Sequence, residues 1–338
     1  SATYDLYLFV DENATEYQNT TFAAGVAVKS YERERDVLLA DYVKSLYTGT
    51  QGENGIYYHD ASLTNGAGDN SYRYAGASDA VKNYVCFGTN TTPCPTDNLY
   101  RIIGVFGDKV KLIKSDYATS TLLGADGDYS QAYTATGYDS SNYKGNNLAN
   151  IAAYYWNNST SNNTWSESLL NKTNLNTNFI TNIGSEWANK IAITTWKVGG
   201  NTLANIVYRP AKTAYQNEIV RPVTTNTTDS KTEYSAKIGL MYVSDYGFAA
   251  APSAWTSKMS SYNSSSIISV NWMYMGLYEW TISRNADNSL NAFYERRGGY
   301  VSNIGVGGNN AVRPSFNLSS SITYVSGSGS ADDPILIN

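Results

Sequence analysis

His59 is the only histidine in the 338-residue chain, so a reaction that needs a histidine base has a single candidate. The sequence has no Gly-x-Ser-x-Gly motif, no phosphate-binding glycine-rich loop with a lysine and no pair of metal-binding histidines. Its 29 acidic residues could include the two carboxylates of a glycoside hydrolase, but no local pattern selects two of them. We therefore predict a half-exposed His59 without a chemical role, no catalytic residues and no cofactor.

Asp126-Gly127-Asp128, with Asp139 nearby, resembles part of a calcium-binding loop. Carboxylates two positions apart can converge on a hard cation, but no glutamate follows at the spacing that closes such a loop. Turn formation explains an Asp-Gly-Asp run without any ligand. We expect a turn and no metal site here, and a calcium ion beside Asp126 and Asp128 is the alternative.

Cys86 and Cys94 are the only two cysteines, which are too few for a structural zinc site. The Gly, Asn and Pro residues between them let the chain bend back and bring the two side chains together. In an oxidising location we expect a disulfide between Cys86 and Cys94, and two free thiols are the alternative.

Residues 284–311 combine Tyr, Arg and Asn side chains with several glycines. Tyr and Arg offer a large contact area at a modest ordering cost, and Asn both donates and accepts hydrogen bonds. We predict that this segment is a ligand-binding loop, and a solvated glycine-rich loop with buried aromatics is the alternative. The candidate contact residues are Tyr294, Arg296, Tyr300, Asn303 and Asn309.

Aromatic side chains are a second candidate for ligand contacts, because Trp and Tyr rings can stack on sugar rings. Three of the seven tryptophans fall on predicted helix or strand stripes and are expected in the core, whereas four have polar surroundings in the sequence. With 30 tyrosines and only 8 phenylalanines, Tyr could instead serve as the packing residue. The four tryptophans in polar surroundings are Trp156, Trp165, Trp255 and Trp272.

The composition limits the classes of partner. Lys and Arg total 24 and Asp and Glu total 29, so the net charge of -5 offers no basic surface for nucleic acid. Only 16% of the residues are charged, and the polarity comes from hydroxyls and amides, as is common in secreted and wall-exposed proteins. No apolar run of about 18 residues could span a membrane, and no signal peptide is evident. We predict an extracellular, cell-surface or appendage location for a processed chain.

The hydrophobic pattern predicts an α+β fold with few helices, short antiparallel strands and long structured loops. An extended N-terminal arm, residues 1–30, precedes one domain, residues 31–338, that begins with a helix near residues 30–47. A hairpin is predicted at 99–106 and 109–114, around Gly107-Asp108. Helices are expected between Trp165 and Ile191. Further strands are predicted at 191–198, 237–244, 278–283, 312–318 and 322–325.

Several blocks resemble a family of uncharacterised extracellular domains found in surface and prepilin-like proteins of Firmicutes. They include residues 83–88, 94–106, 236–247, 279–283, 311–316 and 327–335. The Trp-Thr-Ile-Ser block and the later Val-Arg-Pro-Ser-Phe block also resemble a C-type-lectin-like fold. That resemblance implies that 279–283 and 312–316 are framework strands and that 284–311 is the loop displayed between them. Formylglycine-generating relatives use cysteines in a catalytic cleft, whereas both cysteines here lie far upstream, so that activity is not expected.

Two hypotheses follow. The first is a non-enzymatic surface or appendage protein that binds a glycan or a protein on another cell or matrix. The second is a structural subunit of an extracellular filament, in which the arm adds a strand to another copy of the chain. A carbohydrate-active enzyme is a distant third.

Overall fold

The computed structural model describes residues 36–158, 162–223 and 231–338. The predicted N-terminal arm, residues 1–30, lies outside the described residues, as does the start of the predicted helix at 30–47. Within the described residues the fold is mixed α and β with antiparallel strand pairing, as the α+β prediction requires.

Short strands, numbered β1 to β16 in chain order, form one large sheet and several small ones. The large sheet has seven strands in the order β1-β2-β4-β5-β14-β10, and β3 pairs with β4 beside β2. A three-stranded sheet has the order β11-β12-β13, and β6-β7, β8-β9 and β15-β16 are two-stranded. The strands are β1 Ile56–Tyr58, β2 Tyr72–Tyr74, β3 Tyr84–Cys86, β4 Leu99–Phe106, β5 Lys109–Lys114, β6 Tyr129–Ala132, β7 Ala152–Tyr154, β8 Thr194–Lys197, β9 Glu233–Ala236, β10 Ile238–Gly239, β11 Glu279–Arg284, β12 Asn291–Glu295, β13 Val301–Gly305, β14 Ser315–Asn317, β15 Tyr324–Ser326 and β16 Leu336–Ile337.

The helices are short and lie between the strands. The α-helices are Leu39–Ser45, Ser120–Leu123, Ile180–Asn182, Gly184–Lys190, Leu203–Ile206, Ala211–Tyr215, Val243–Ala249 and Ser265–Ile268, and the π-helical segments are Leu170–Phe179 and Gln216–Val220. Single 3₁₀ turns occupy Glu53–Gly55, Thr96–Asn98, Tyr133–Ala135, Leu148–Asn150, Pro252–Ala254 and Met259–Ser261. The helical prediction between Trp165 and Ile191 is confirmed.

The predicted hairpin forms the centre of the large sheet. β4 and β5 pair antiparallel from Phe106 opposite Lys109 to Tyr100 opposite Lys114. Gly107 supplies the positive φ of +67° that the tight turn needs. Seven of the eight β4 residues are buried, because the core covers both faces of this strand.

Two predicted elements begin elsewhere than the hydrophobic pattern indicated. The first helix starts only at Leu39, because Leu38 pairs with Thr323 and the Val37 carbonyl accepts the Tyr324 amide at 2.8 Å. The predicted strand at 237–244 is mostly wrong: only Ile238–Gly239 is a strand, and a helix starts at Val243. Side chains fix that start, since Glu218 accepts the amides of Val243 and Ser244 at 2.8 and 2.9 Å.

The interpretation of residues 284–311 as a displayed loop is wrong. Asn291–Glu295 and Val301–Gly305 are strands β12 and β13 of the three-stranded sheet, joined by a tight turn at residues 296–300, hereafter the 296–300 turn. The Arg296 amide donates to the Tyr300 carbonyl at 2.9 Å and the Gly299 amide to the Arg296 carbonyl at 2.6 Å. The segment is a β-hairpin whose turn is anchored on the core.

Tyrosine hydroxyls tie several loops to the interior. The rings are buried in the core, and the hydroxyls donate to backbone carbonyls: Tyr246 to Gly299 at 2.6 Å, Tyr154 to Gly124 at 2.8 Å, and Tyr262 to Gly247 at 3.1 Å. Each tyrosine therefore contributes apolar area and also satisfies a backbone carbonyl: Gly299 and Gly124 lie in loops, and Gly247 lies in the helix Val243–Ala249. This confirms that Tyr serves as a packing residue in this protein.

Candidate functional site

A groove of about 1070 Å³ lies among the loops of the described residues. The loops that form it come from separate parts of the chain between residues 78 and 331. They include the 3₁₀ turn before β4 and the segment after β5. Hydroxyl, amide and charged groups contribute much of its lining. The lining residues are Ser78, Asp79, Val81, Lys82, Tyr84, Thr96, Asp97, Leu99, Arg101, Ser115, Asp116, Lys144–Asn147, Ser265, Ile268, Ser269, Asn271, Tyr274, Met275, Ser330 and Ala331.

Arg101 fixes the groove-lining segments relative to one another. Its guanidinium lies between the rings of Tyr84 and Trp272, with 4.3 and 4.7 Å to the centroids. It donates to the Ser78 hydroxyl at 2.7 Å and to the Val81 carbonyl at 3.1 Å. Burial lowers the pKa of Arg101 to about 10, so the group carries its charge at neutral pH. Its hydrogen bonds to Asn83, Ser78, Val81 and the Trp272 carbonyl all go to uncharged acceptors.

Asp116 orders the rim formed by residues 143–147. One carboxylate oxygen accepts the Tyr143 hydroxyl at 2.6 Å and the Asn146 amide at 3.4 Å, and the other accepts the Tyr117 amide at 2.7 Å. The exposed side chains of Asn146 and Asn147 follow directly along the chain. The rim thus has a fixed backbone and carries outward amides that can donate and accept hydrogen bonds.

The 296–300 turn lies next to the groove. Tyr274 lines the groove, and its hydroxyl donates to the Arg297 carbonyl at 2.7 Å. Ile268, also in the lining, packs so closely on Gly299 that a Cβ there would lie 2.5 Å from its Cγ2. Gly299 has a φ of +92°, so the position requires glycine for both its conformation and its space.

The structure brings three of the five predicted contact residues together. Arg296 lies over the rings of Tyr278 and Tyr300, at 5.6 and 5.0 Å from their centroids, and bonds to the Tyr300 hydroxyl. Tyr294 contacts Tyr278 at 5.8 Å between centroids, but it is 5% exposed and offers little surface to a ligand. Arg296 and Tyr300 are half-buried and keep part of their surface accessible.

Asn303 and Asn309 lie away from that cluster. Asn303 pairs with Phe293 in the sheet, so its side chain lies on the face opposite to Tyr294. The Asn309 side chain accepts the Ser130 hydroxyl at 2.7 Å. The predicted five-residue surface is therefore divided, and the groove residues beside it were missed. The polar loops on either side of the hairpin at 99–114 were the sequence feature that could have indicated these groove residues.

The tryptophans are not available for sugar stacking. All seven are buried, including Trp156, Trp165, Trp255 and Trp272, which are at most 1% exposed. The indole of Trp156 donates to the Thr281 carbonyl at 2.9 Å and that of Trp272 to the Tyr74 carbonyl at 2.8 Å. Polar neighbours in the sequence were misleading, because tertiary packing covers these rings.

Glu279 and Glu295, hereafter the acid pair, are buried under the turn and the groove. They are direct partners in the β11–β12 ladder and both are fully buried. Arg313 bonds Glu279 through both carboxylate oxygens, with distances of 2.7 to 3.0 Å. Neither carboxylate oxygen of Glu295 has a hydrogen-bond partner. Burial and the charge of Glu279 raise the pKa of Glu295 well above its usual range.

A second buried group of charges consists of Asp69, Arg73, Lys111 and Asp245, hereafter the charged cluster. Arg73 pairs with Asp69 at 2.6 Å, and Lys111 pairs with Asp245 at 2.5 Å. Aromatic rings cover the cations, with Tyr242 at 4.5 Å from the Lys111 ammonium. A small cavity of about 200 Å³ lies beside the cluster. Its charged groups face one another, so it is a weaker candidate site than the groove.

His59 is buried, and the prediction of a half-exposed side chain is wrong. Its Nδ1 accepts the Ala67 amide at 3.0 Å, which places the proton of the neutral ring on Nε2. Burial and the charge of Arg73 lower its pKa well below the usual range. The ring packs against Phe248 and Trp255.

Asp126, Asp128 and Asp139 have separate structural partners. Asp128 accepts the amides of Leu170 and Asn158 at 2.9 and 3.0 Å, Asp126 accepts the Asn178 amide group, and Asp139 pairs with Arg297. Among the described residues, no group of three or more His, Cys, Asp or Glu side chains could hold a metal ion. Asp128 therefore caps backbone amides and Asp126 anchors the Asn178 side chain, so both carboxylates of the Asp-Gly-Asp run have structural partners.

Cys86 and Cys94 form a disulfide, which confirms that prediction. The bond closes the short loop after β3 and lies at the edge of the large sheet. In the described part of the chain, no helix has the length and apolar character needed to cross a membrane.

Comparison with known proteins adds no relative. No family model matches the chain, and no curated protein or solved structure is significantly similar to it. The geometry of the groove and the 296–300 turn is therefore the basis for a functional hypothesis.

Proposed function

We propose that the protein is a non-enzymatic extracellular surface or appendage protein that binds a glycan in the groove, with the 296–300 turn as a second contact. The observation that carries this proposal is the groove itself: about 1070 Å³ of open space with an ordered lining that mixes apolar and polar groups. The amides, hydroxyls and carboxylates in that lining match sugar hydroxyls.

The arrangement of groups in the groove fits a saccharide. The half-buried Tyr84 offers an aromatic ring, and the exposed side chains of Asp97, Lys144 and Asn147 offer polar groups around it. Sugar recognition in proteins combines an aromatic face with directional hydrogen bonds of this kind. The framework beneath these groups is held by Arg101 and Asp116, so little ordering is needed on binding.

The extracellular location and the C-type-lectin-like architecture are part of the same proposal. The disulfide supports an oxidising compartment. Long ordered loops over small antiparallel sheets, with β11 and β14 in the two blocks that resemble framework strands, support the architecture. Superposition of an experimental structure on C-type-lectin domains tests it: unrelated connections between β11 and β14 would contradict the fold, while the groove would remain.

Glycan-array screening of the full chain tests the binding function. A bound saccharide is expected, and calorimetric titration with that saccharide should show about tenfold weaker affinity for Tyr84→Ala and for Asn147→Ala. The matched controls are Tyr208→Ala and Asn150→Ala, which change the same residue types at exposed positions outside the groove.

The contribution of the turn is tested by Arg296→Ala and Tyr300→Ala, for which a loss of a few-fold in affinity is expected. Two results would contradict the proposal: no glycan bound by the intact chain, or affinity unchanged in both the groove and the turn variants. Turnover of a polysaccharide would instead support the carbohydrate-active enzyme.

A further inference from the structure

We propose that Glu295 is a protonation switch for the 296–300 turn. The neutral side chain leaves the Tyr246 hydroxyl bonded to the turn, and the ionised carboxylate takes that hydroxyl and releases the turn from the groove wall. The inference depends on the proposed function only in naming the groove as the ligand site that the switch regulates.

The charge balance of the acid pair is the first observation. Glu279 and Glu295 are opposite one another in the ladder, so their side chains project from the same face of the sheet. Arg313 is the cation beside this pair. It donates hydrogen bonds to Glu279 and to the Met273 carbonyl. Two carboxylates beside one guanidinium in a dry interior cannot both be ionised without a large cost, so Glu295 is the one that holds a proton.

The groups that face Glu295 come from each element packed around it. Glu279 lies on β11 and Arg313 lies before β14. Tyr246 comes from the helix Val243–Ala249, Tyr117 from the segment after β5, and Tyr274 from the groove wall. Apart from Arg313 and Glu279, the neighbouring titratable groups are tyrosines. Burial raises the pKa of Tyr274 to about 12 and raises the pKa of Tyr246 well above its usual value, so both hydroxyls remain donors at neutral and mildly alkaline pH.

The Tyr246 hydroxyl has a choice of acceptors. It donates to the Gly299 carbonyl at 2.6 Å. It also lies within hydrogen-bonding reach of the Glu295 carboxyl group, where its effect is to lower the pKa of that group. A hydroxyl has one proton to donate, so it cannot serve the turn and an ionised Glu295 at the same time. A buried carboxylate without a donor is far more unfavourable than the loss of one hydrogen bond to a carbonyl, so the ionised form of Glu295 takes the hydroxyl.

Loss of that bond reaches the groove directly. Gly299 packs on Ile268, which lines the groove, and the next residue, Tyr300, carries the contact with Arg296. The second attachment of the turn, from the Tyr274 hydroxyl to Arg297, also starts from a residue beside Glu295. Ionisation of Glu295 therefore loosens the turn and the adjoining groove wall together, and it does so as the pH rises.

Hydrogen–deuterium exchange of the full chain tests the switch without any ligand. With intrinsic rates corrected for pH, protection of the amides of residues 296–300 should fall about tenfold between about pH 6 and about pH 9 in the unmodified protein. Glu295→Gln, which cannot ionise, should keep the protection at both ends of the range. Glu186→Gln, the same change at an exposed position, should behave like the unmodified protein. Tyr246→Phe should show low protection at every pH.

Each alternative outcome is decisive. Equal loss of protection in Glu295→Gln, no loss in the unmodified protein, or full protection in Tyr246→Phe would overturn the switch. Amides of β4 serve as the internal reference, and protection there must stay constant in every variant for a change at the turn to be local. Because no saccharide is present, failure here leaves glycan binding untouched, and failure of glycan binding leaves the exchange result untouched.

Discussion

The charged cluster and the acid pair are both buried, but only the charged cluster has as many cations as carboxylates. Arg73 and Lys111 face Asp69 and Asp245, whereas Arg313 alone faces Glu279 and Glu295. In the first group each carboxylate has a cation within 2.6 Å. In the second, both oxygens of Glu295 lack a hydrogen-bond partner. The difference separates a set of paired charges that stabilises the fold from a spare acid that responds to pH.

The pKa directions follow the same division. Burial alone would raise the pKa of Asp69, but the charge of Arg73 and hydrogen bonds from Ser71 and Arg73 outweigh it and lower the pKa to about 2. For Glu295 no comparable compensation exists, and burial with the charge of Glu279 raises its pKa. Burial raises the pKa of both acids, but the fully buried Glu295 lacks the paired cation and hydrogen bonds that reverse the effect at the partly exposed Asp69.

The largest expected effect is at Asp245. Asp245→Asn removes the charge that pairs with Lys111, while the amide oxygen can still accept the Tyr242 amide bonded at 2.9 Å in the native protein. Two buried cations are then left with one carboxylate, so the free energy of unfolding should fall by about 3 kcal/mol or more. Denaturant titration measures it. The control is Glu233→Gln in the exposed pair with Lys197, where a change of about 0–1 kcal/mol is expected. Equal effects at both sites would contradict the pairing argument.

A smaller effect is expected at Asp69. A folded-state pKa of about 2, below the usual value, contributes stability above about pH 4 that is lost as the pH falls toward 2. Asp69→Asn should lower the free energy of unfolding by about 2 kcal/mol at neutral pH and flatten its dependence between about pH 4 and pH 2. Denaturant titrations across that range give the comparison. If the variant kept the acid slope of the unmodified protein, Asp69 would not be its source.

The smallest expected effect has the opposite sign. Since the folded-state pKa of Glu295 is raised, its contribution to stability is present below its unfolded-state pKa and is lost as the pH rises through the folded-state value. Glu295→Gln removes that loss, so we expect a gain in the free energy of unfolding in alkaline solution, smaller than the losses at Asp245 and Asp69, and a flatter pH dependence. Thermal unfolding measured against pH is the test. A variant less stable than the unmodified protein at every pH would contradict the spare-acid assignment.

Local pattern was sufficient to predict elements whose partners are close in the chain. The hairpin at 99–114 was found because apolar residues flank a Gly-Asp turn, and the disulfide because only seven residues lie between the two cysteines. Other ion pairs of the two buried charge groups join residues far apart in sequence. Lys111 and Asp245 are 134 residues apart, and Arg313 and Glu279 are 34 apart. No periodicity links such residues, because tertiary packing alone brings them together.

The candidate site was predicted in part for the same reason. Arg296 and Tyr300 were predicted from their residue types, and the structure brings them together because both lie in one turn. Gly298-Gly299 between two short apolar runs could have indicated the hairpin. The groove draws on segments from residue 78 to residue 331, so its membership is a property of the fold. The polar residues beside Trp156 and Trp272 in the sequence also did not predict that both rings would be buried.

The tyrosine hydroxyls that end on loop carbonyls have a consequence for how this molecule can diversify. Tyr246 and Tyr154 hold loop backbones from the inside, through carbonyl groups that every amino acid shares. Outward side chains on those loops can then be exchanged while the path of the backbone stays fixed. Asp116 fixes the groove rim in a similar way, through the Tyr143 hydroxyl and the Asn146 amide, so a library randomised at the exposed Asn146 and Asn147 should yield new specificities on an unchanged backbone.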